Sequence, residues 1–422
     1  MKHVSILIFF LTLLYSCSSN QAVLKPTIVE TPTVSSLVEV PRSQSHSFDI
    51  DRLKRFDSYL ENEMHDNKIP GAVLLINQHG QNVYSKSYGS REKGVELGMP
   101  KDEIFYIQSM TKPIVSIAFM MLYEEGHFQL SDKVSKYIPS FKEMQVATET
   151  SGDDFKTVPA ESEITIKQVL SHTAGLSHGL TGTDLDNHIA RSLYFTPHDD
   201  IEARVEMLAS LPLIGQPSEQ WYYSASPDIL ARLIEIFSGM SCAEFLQQKI
   251  FDPLQMKDTG FNIKDGQENR MAKLYQTTQD GTLQLGERQT PAQGHTIFGG
   301  THGLFSTASD YMSFCKMLLN NGKANGQQFV GRKTLELMTM NHLGDIPYTP
   351  GQGFGLGFGI LTDVADNATL GSEGSYFWSG AYNTYFFIDP EEDMAAILMM
   401  QFAPYTNFYS DKLRQFVYQA LN

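Results

Sequence analysis

The chain has 422 residues, 41% apolar and 19% charged, with Lys plus Arg at 32, Asp plus Glu at 48 and a formal charge of −16. This describes a globular chain that can bury a sizeable core without disulfide staples, as one large domain or two ordinary ones. The acidic balance and the lack of a long Lys/Arg run exclude nucleic acid as an expected partner. Three cysteines, Cys17, Cys242 and Cys315, make no disulfide framework and no Cys-x-x-Cys pair, and no His-Glu-x-x-His occurs, so no metal is expected.

Lys2 and His3 precede an apolar run over residues 4–15 that is too short to cross a bilayer as a permanent helix. Residues 1–16 therefore read as a secretory signal peptide. The run ends in Leu14-Tyr15-Ser16-Cys17, which resembles the lipobox of bacterial lipoproteins and implies lipidation of Cys17. An ordinary signal peptide with an incidental cysteine is the alternative. Ser18 resembles an outer-membrane sorting signal, so the expected address is an exported, periplasm-facing lipoprotein. Residues 17–48 are rich in Ser, Thr, Val and Pro without a sustained period, the composition of a flexible tether. The folded domain is expected over 49–422.

In that domain, Ile50, Leu53, Phe56, Leu60 and Met64 recur at helical spacing, predicting an amphipathic helix over 49–66. Strand-like runs at 71–76 and 81–88 flank Asn77-Gln78-His79-Gly80, a hairpin signal. A long apolar helix is expected over 109–125, stopping at Gly126, and mostly helical pattern continues to about residue 300. Runs at 382–388 and 394–401 flank a second turn at 389–393, and a terminal helix is expected over 408–421. Strand pairs at both ends with helices between predict an α/β (α+β) fold whose sheet is completed by the two chain ends.

Two serines compete as nucleophile. Ser109-Met110-Thr111-Lys112 has Ser-x-x-Lys spacing, which on a helix puts both side chains on one face. A hydroxyl needs an adjacent base, and a desolvated lysine with a lowered pKa supplies one. The tetrapeptide recurs at Ser90–Lys93, in a charged loop, and at Ser313–Lys316, inside a helical pattern. Only Ser109 follows a strand-like stretch, 104–108, and opens a long apolar helix. The rival Gly175-Leu176-Ser177-His178-Gly179 has the Gly-x-Ser-x-Gly form of a nucleophile elbow, but a helical pattern precedes it and a loop follows, the reverse of what an elbow needs. His172 and His178 read as hydrogen-bonded structural histidines, and Cys242 and Cys315 as buried thiols.

The segment Ile107-Gln108-Ser109-Met110-Thr111-Lys112-Pro113 resembles the nucleophile segment of the serine β-lactamase/penicillin-binding superfamily, in its class C and class VIII carboxylesterase branch. Further blocks follow in that family's order: 164–176, Trp221-Tyr222-Tyr223-Ser224-Ala225 with Asp228-Ile229-Leu230, 251–256, 303–307 and 353–359. The resemblance implies a β-lactamase-like fold, an antiparallel sheet flanked by helices with a mostly helical inserted subdomain. It implies catalysis by Ser109, Lys112 and Tyr223 without a cofactor. It also implies a third motif at Trp378-Ser379-Gly380 and an oxyanion held by the amides of Ser109 and Ala381. Ala225 stands where class C β-lactamases carry an Asn, and Trp378 where they carry a cation. An apolar wall at Trp378 suits a small neutral ester as substrate; core packing is the alternative for both Tyr223 and Trp378. A β-lactamase or D-alanyl-D-alanine peptidase of the same fold, and a silent ligand-binding relative, remain the other readings.

Overall fold

The structure, a computed structural model, describes residues 48–92, 98–152 and 154–422. The expected signal peptide, Cys17 and all but the last residue of the tether lie outside the described residues.

Helix α1 (Ile50–His65) is capped by the Asp49 carboxylate, which accepts from Arg52 N at 3.2 Å, and buries the expected stripe Leu53, Phe56 and Leu60. Strands β1 (Gly71–Gln78) and β2 (Gln81–Gly89) pair antiparallel around His79 and Gly80. Their φ values, 50° and 73°, are the positive angles of a two-residue type I′ turn. The chain then builds helices α2 (Thr111–Glu124), α3 (Ile201–Ser210), α4 (Ser226–Ser238) and α5 (Ala308–Leu319). It returns to the sheet as β3 (Gln352–Phe354), β4 (Gly359–Leu361), β5 (Tyr376–Gly380), β6 (Thr384–Asp389) and β7 (Met394–Met399), and closes with α6 (Phe408–Tyr418).

Among the described residues these seven strands form one antiparallel sheet in the order β3-β4-β5-β6-β7-β1-β2. The first strand pairs with the last, from Val73 opposite Met399 to Gln78 opposite Met394. Both are buried along their whole length because each face is covered. Val73, Leu75, Ala395, Ile397 and Met399 join the larger core with α2, α4 and α5. Leu74, Ile76, Ala396 and Leu398 join a second core with Leu53 and Phe56 of α1 and Leu413 and Val417 of α6. The period-two alternation of the strands thus serves two cores at once. The expected β-lactamase-like architecture, a sheet completed by both chain ends and flanked by helices, is what forms.

Local differences have local causes. The helix expected from residue 109 begins as a 3₁₀ turn, Gln108–Met110, before α2 proper. The terminal helix stops at Tyr418 because Leu421 leaves to bridge Phe48, with Asp49 N donating to Ala420 O at 2.7 Å. The stretch 255–300 is mostly loop, with short strands Tyr275–Thr277 and Leu283–Leu285, rather than helical. Its Gly, Pro, Asp and Thr residues favour turns over helix. Cys242 and Cys315 are free and buried as expected.

Candidate active site

A two-residue strand, Phe105–Tyr106, pairs antiparallel with Phe305–Ser306 and delivers the chain to Ser109. Gln108 turns the corner with φ 49°, an uncommon angle for a residue with a side chain and one that concentrates at functional sites. Ser109 is 9% exposed, and Lys112 on the first turn of α2 is 1% exposed. Lys112 Nζ lies 3.1 Å from Ser109 Oγ and donates to the Thr301 carbonyl at 2.8 Å. Burial drives its pKa down to about 7, although the Asp228 carboxylate pulls the other way. The amine is therefore substantially neutral near pH 7 and able to accept a proton.

Tyr223 supplies the floor of this pair, its ring centroid 4.5 Å from Lys112 Nζ. Burial pushes the phenol up, while hydrogen bonding with Ser109 works against that shift, so near neutrality Tyr223 keeps its proton. Its loop is held by the preceding block: Tyr222 N donates to His172 O at 2.9 Å and Ala225 N to Ser177 O at 3.0 Å. His172 Nδ1 lies 2.9 Å from Ser224 Oγ, and His178 bonds the Tyr194 hydroxyl. Desolvation holds both imidazoles well below their usual pKa. They act as the structural histidines expected from sequence.

Ser177 does not present a nucleophile. It is 2% exposed and donates to Asp186 while accepting from Gly179 N at 2.9 Å, with the short helix Ile166–Leu170 before it in the chain. Ser313 lies within α5, and Ser90 accompanies a Lys93 outside the described residues.

The third motif occupies the end of β5. A Cβ on Gly380 would overlap the Ile107 carbonyl and the Thr384 hydroxyl, so only glycine lets this strand lie directly against the Ser109 turn. Ala381 follows in the exposed turn to β6, and the Ser379 hydroxyl reaches Tyr405. Trp378, half-buried, packs 5.6 Å from the Tyr223 ring and 5.2 Å from Phe354, while Trp221 stacks on Tyr223 at 5.8 Å. Trp378 thus packs among the aromatic side chains around Tyr223. Its Nε1 points toward the Tyr223 oxygen without completing a well-aligned hydrogen bond. Ala225 is fully buried at the start of α4.

Sequence reasoning named Asp228 only as part of a family block and missed Thr301 and Arg204, to which it binds. Thr301 N donates to Asp228 Oδ1 at 2.8 Å, and Asp228 Oδ2 faces Arg204 Nη2 of α3 at 2.9 Å. Arg204 meets Asp228 as an ion pair rather than through an aligned hydrogen bond. The Gly299-Gly300 pair before Thr301 was a readable sign of close backbone approach; nothing in the sequence marked Arg204.

Comparison with known proteins identifies the family. The family described as Beta-lactamase matches residues 56–419. The lovastatin esterase of Penicillium rubens is 28% identical, covering 79% of this chain and 89% of its own. Esterase EstB of Burkholderia gladioli is 24% identical, covering 82% and 89%. Among solved structures, EstCE1, a hydrolase with promiscuous acyltransferase activity, superposes with a TM-score of 0.73 at 23% identity, covering 87% of this chain and 99% of its own. Simvastatin synthase (LovD) from Aspergillus terreus does so at 0.73 and 22%, covering 87% and 97%. With a family match that runs from α1 through α6, the chain belongs to the β-lactamase family.

Proposed function

We propose that this protein is a serine hydrolase that cleaves small neutral carboxylic esters through an acyl-enzyme on Ser109. The observation that carries the reading is the buried Lys112 amine, with a pKa near 7, held 3.1 Å from the Ser109 hydroxyl. Esterase names among the relatives support the reaction class. Lys112 takes the Ser109 proton as Oγ bonds to the ester carbon. The carbonyl oxygen becomes an oxyanion facing the amides of Ser109 and Ala381. Collapse breaks the ester C–O bond, and the Tyr223 phenol protonates the departing alcohol while recovering a proton from the Lys112 ammonium over its ring. Water then attacks the acyl-enzyme, Lys112 accepts the water proton, and the acid leaves as Ser109 regains its hydrogen. No cofactor enters these steps.

Substrate choice follows from what the walls offer. A lactam would look for an amide anchor at the second motif, where Ala225 is buried, and a carboxylate anchor at the third, where Trp378 stands. Each lost charge-assisted hydrogen bond costs on the order of 1.5–3 kcal/mol. At about 1.4 kcal/mol per tenfold, two losses lower lactam efficiency roughly a hundredfold or more. A neutral ester needs only the oxyanion donors and an apolar wall. We also assign the protein to the periplasmic side of the outer membrane, tethered through a lipid on Cys17, on the strength of residues 2–18.

The test is a panel of p-nitrophenyl acetyl and butyryl esters run beside a chromogenic cephalosporin, with fluorophosphonate labelling and peptide mapping. Clear ester turnover, an adduct on Ser109, loss of activity in Ser109→Ala and its retention in Ser177→Ala are expected. A higher kcat/KM for the cephalosporin than for the best ester, or an adduct on Ser177, would overturn the reading.

A further inference from the structure

We propose that Asp228 is a positioning residue for Lys112: its carboxylate holds the Thr301 amide so that the Thr301 carbonyl takes one N–H of the lysine and leaves the nitrogen lone pair facing Ser109. The inference rests on Lys112 as the base of the proposed reaction.

The geometry runs without a gap from one helix to the next. Asp228 sits on the first turn of α4 at 1% exposure, and its Oδ1 accepts from Thr301 N at 2.8 Å. The Thr301 hydroxyl donates to Ala225 O at 3.2 Å, and the Thr301 carbonyl accepts from Lys112 Nζ at 2.8 Å. Three residues on, Leu304 N donates to Thr111 Oγ1 at 3.2 Å and Leu304 O accepts from Ile107 N at 3.0 Å. The 301–304 segment is thus pinned to α4 at one end and to the nucleophile turn at the other. Glycine makes the approach possible. A Cβ on Gly299 would overlap Arg204 Nη2 and lie 2.6 Å from Asp228 Oδ1, and one on Gly300 would overlap the Pro227 carbonyl.

A neutral primary amine has two N–H bonds and one lone pair at tetrahedral directions. Free to rotate about its last bond, it would present the lone pair to Ser109 only part of the time. With one N–H fixed on the Thr301 carbonyl, the rotation is restricted to settings in which the lone pair can meet the serine proton. Asp228 therefore acts on Lys112 twice, through the backbone of Thr301 and through its charge, which favours the protonated lysine. Arg204, 2.9 Å away, offsets that charge. The other titratable groups around the amine are Tyr223 beneath it and His172, His178 and His302, whose imidazoles burial keeps neutral. The lysine charge is set by burial against the Asp228–Arg204 pair.

Asp228→Asn keeps the acceptor for Thr301 N and removes the charge. In the purified full protein the acidic limb of kcat/KM should move to lower pH by roughly one unit. Asp228→Ala, which also removes the acceptor, should lower kcat by about a hundredfold with KM little changed. Arg204→Gln should move the limb the other way, to higher pH. Thermal unfolding is read on each variant, and Lys112→Ala is run alongside. A folded Asp228→Ala enzyme with wild-type kcat, with Lys112→Ala inactive, would overturn the positioning role and leave the base intact, and limbs that stay at the wild-type position in folded Asp228→Asn and Arg204→Gln would overturn the part played by the charge. Retained hydrolysis in Lys112→Ala would overturn both. If Asp228→Ala does not fold, the limb positions of Asp228→Asn and Arg204→Gln decide, and failure of all three to fold would overturn the proposal by making the pair a requirement of the fold rather than of the lysine.

Discussion

At the scale of single residues, the proposed chemistry depends on a lysine that gives up its charge. An exposed lysine holds its proton to about pH 10.4. Lys112 does not, because its ammonium would sit in a nearly dry interior where Tyr223 offers a ring face and Thr301 one carbonyl. The pH dependence follows with a definite sign. The neutral amine is the active form, so kcat/KM should rise with pH along a one-proton limb centred near 7 and fall away as pH drops below it. Lys112→Ala and Tyr223→Phe should each lower turnover by roughly 10²–10⁴-fold while leaving the protein folded. Steady-state kinetics between pH 5 and 9 on a butyryl ester check both statements, and a flat profile across pH 7 would contradict the assignment of the base.

At the scale of elements, the site is a meeting of one turn, one loop and one strand edge. The distance between β5 and the Ser109 turn is set by what Gly380 lacks. Gly380→Ala forces a methyl against the Ile107 carbonyl and Thr384, and overpacking of this kind typically costs about 1–3 kcal/mol. The expected result is a kcat reduced by about tenfold or more, since a misplacement near 1 Å can cost about a hundredfold, together with a lower midpoint in thermal unfolding. Gly98→Ala, where a Cβ meets nothing within 4 Å, should change neither. The elements themselves were legible in the sequence for a simple reason. The hairpins at 78–81 and 389–394 carry turn chemistry between period-two runs, and Ser109–Lys112 needs only its own four residues to be recognised. The Asp228–Thr301–Lys112 connection joins three segments from different parts of the chain, and no local period reports it. The stretch 255–300 was misread as helical although its Gly, Pro, Asp and Thr residues favour turns.

At the scale of the whole molecule, the chain can be read as a catalytic domain carried behind an N-terminal address. In the proposed reading the address belongs to residues 1–18 and the chemistry to the remainder, so the two should separate cleanly in an experiment. Cys17→Ala should move the protein from the membrane fraction to the soluble periplasmic fraction with ester hydrolysis per molecule unchanged. Fractionation with an activity assay on each fraction checks this, and a wild-type protein that is already soluble would favour a plain signal peptide. The family resemblance extended through nearly the whole domain because its motifs lie on strands and helix starts spread from Ser109 to Gly380. The identity of the proposed ester's alcohol and acyl groups did not, because the aromatic cluster proposed to meet them, Trp221, Tyr223, Phe354 and Trp378, is assembled from three separate segments.

The pairing of β1 with β7 has a consequence in time as well as in space. Val73 and Met399 stand opposite one another across more than three hundred residues of chain, and the bridge from Phe48 to Leu421 lies just outside them. No early portion of the polypeptide can close that seam by itself. A nascent chain emerging from the ribosome therefore carries β1 with one edge unpaired until almost its last residues are made, a topology expected to fold late and to benefit from shielding of its sticky edges meanwhile. For the export proposed above, the same delay would keep the polypeptide threadable through a narrow pore for as long as its final strand has yet to arrive.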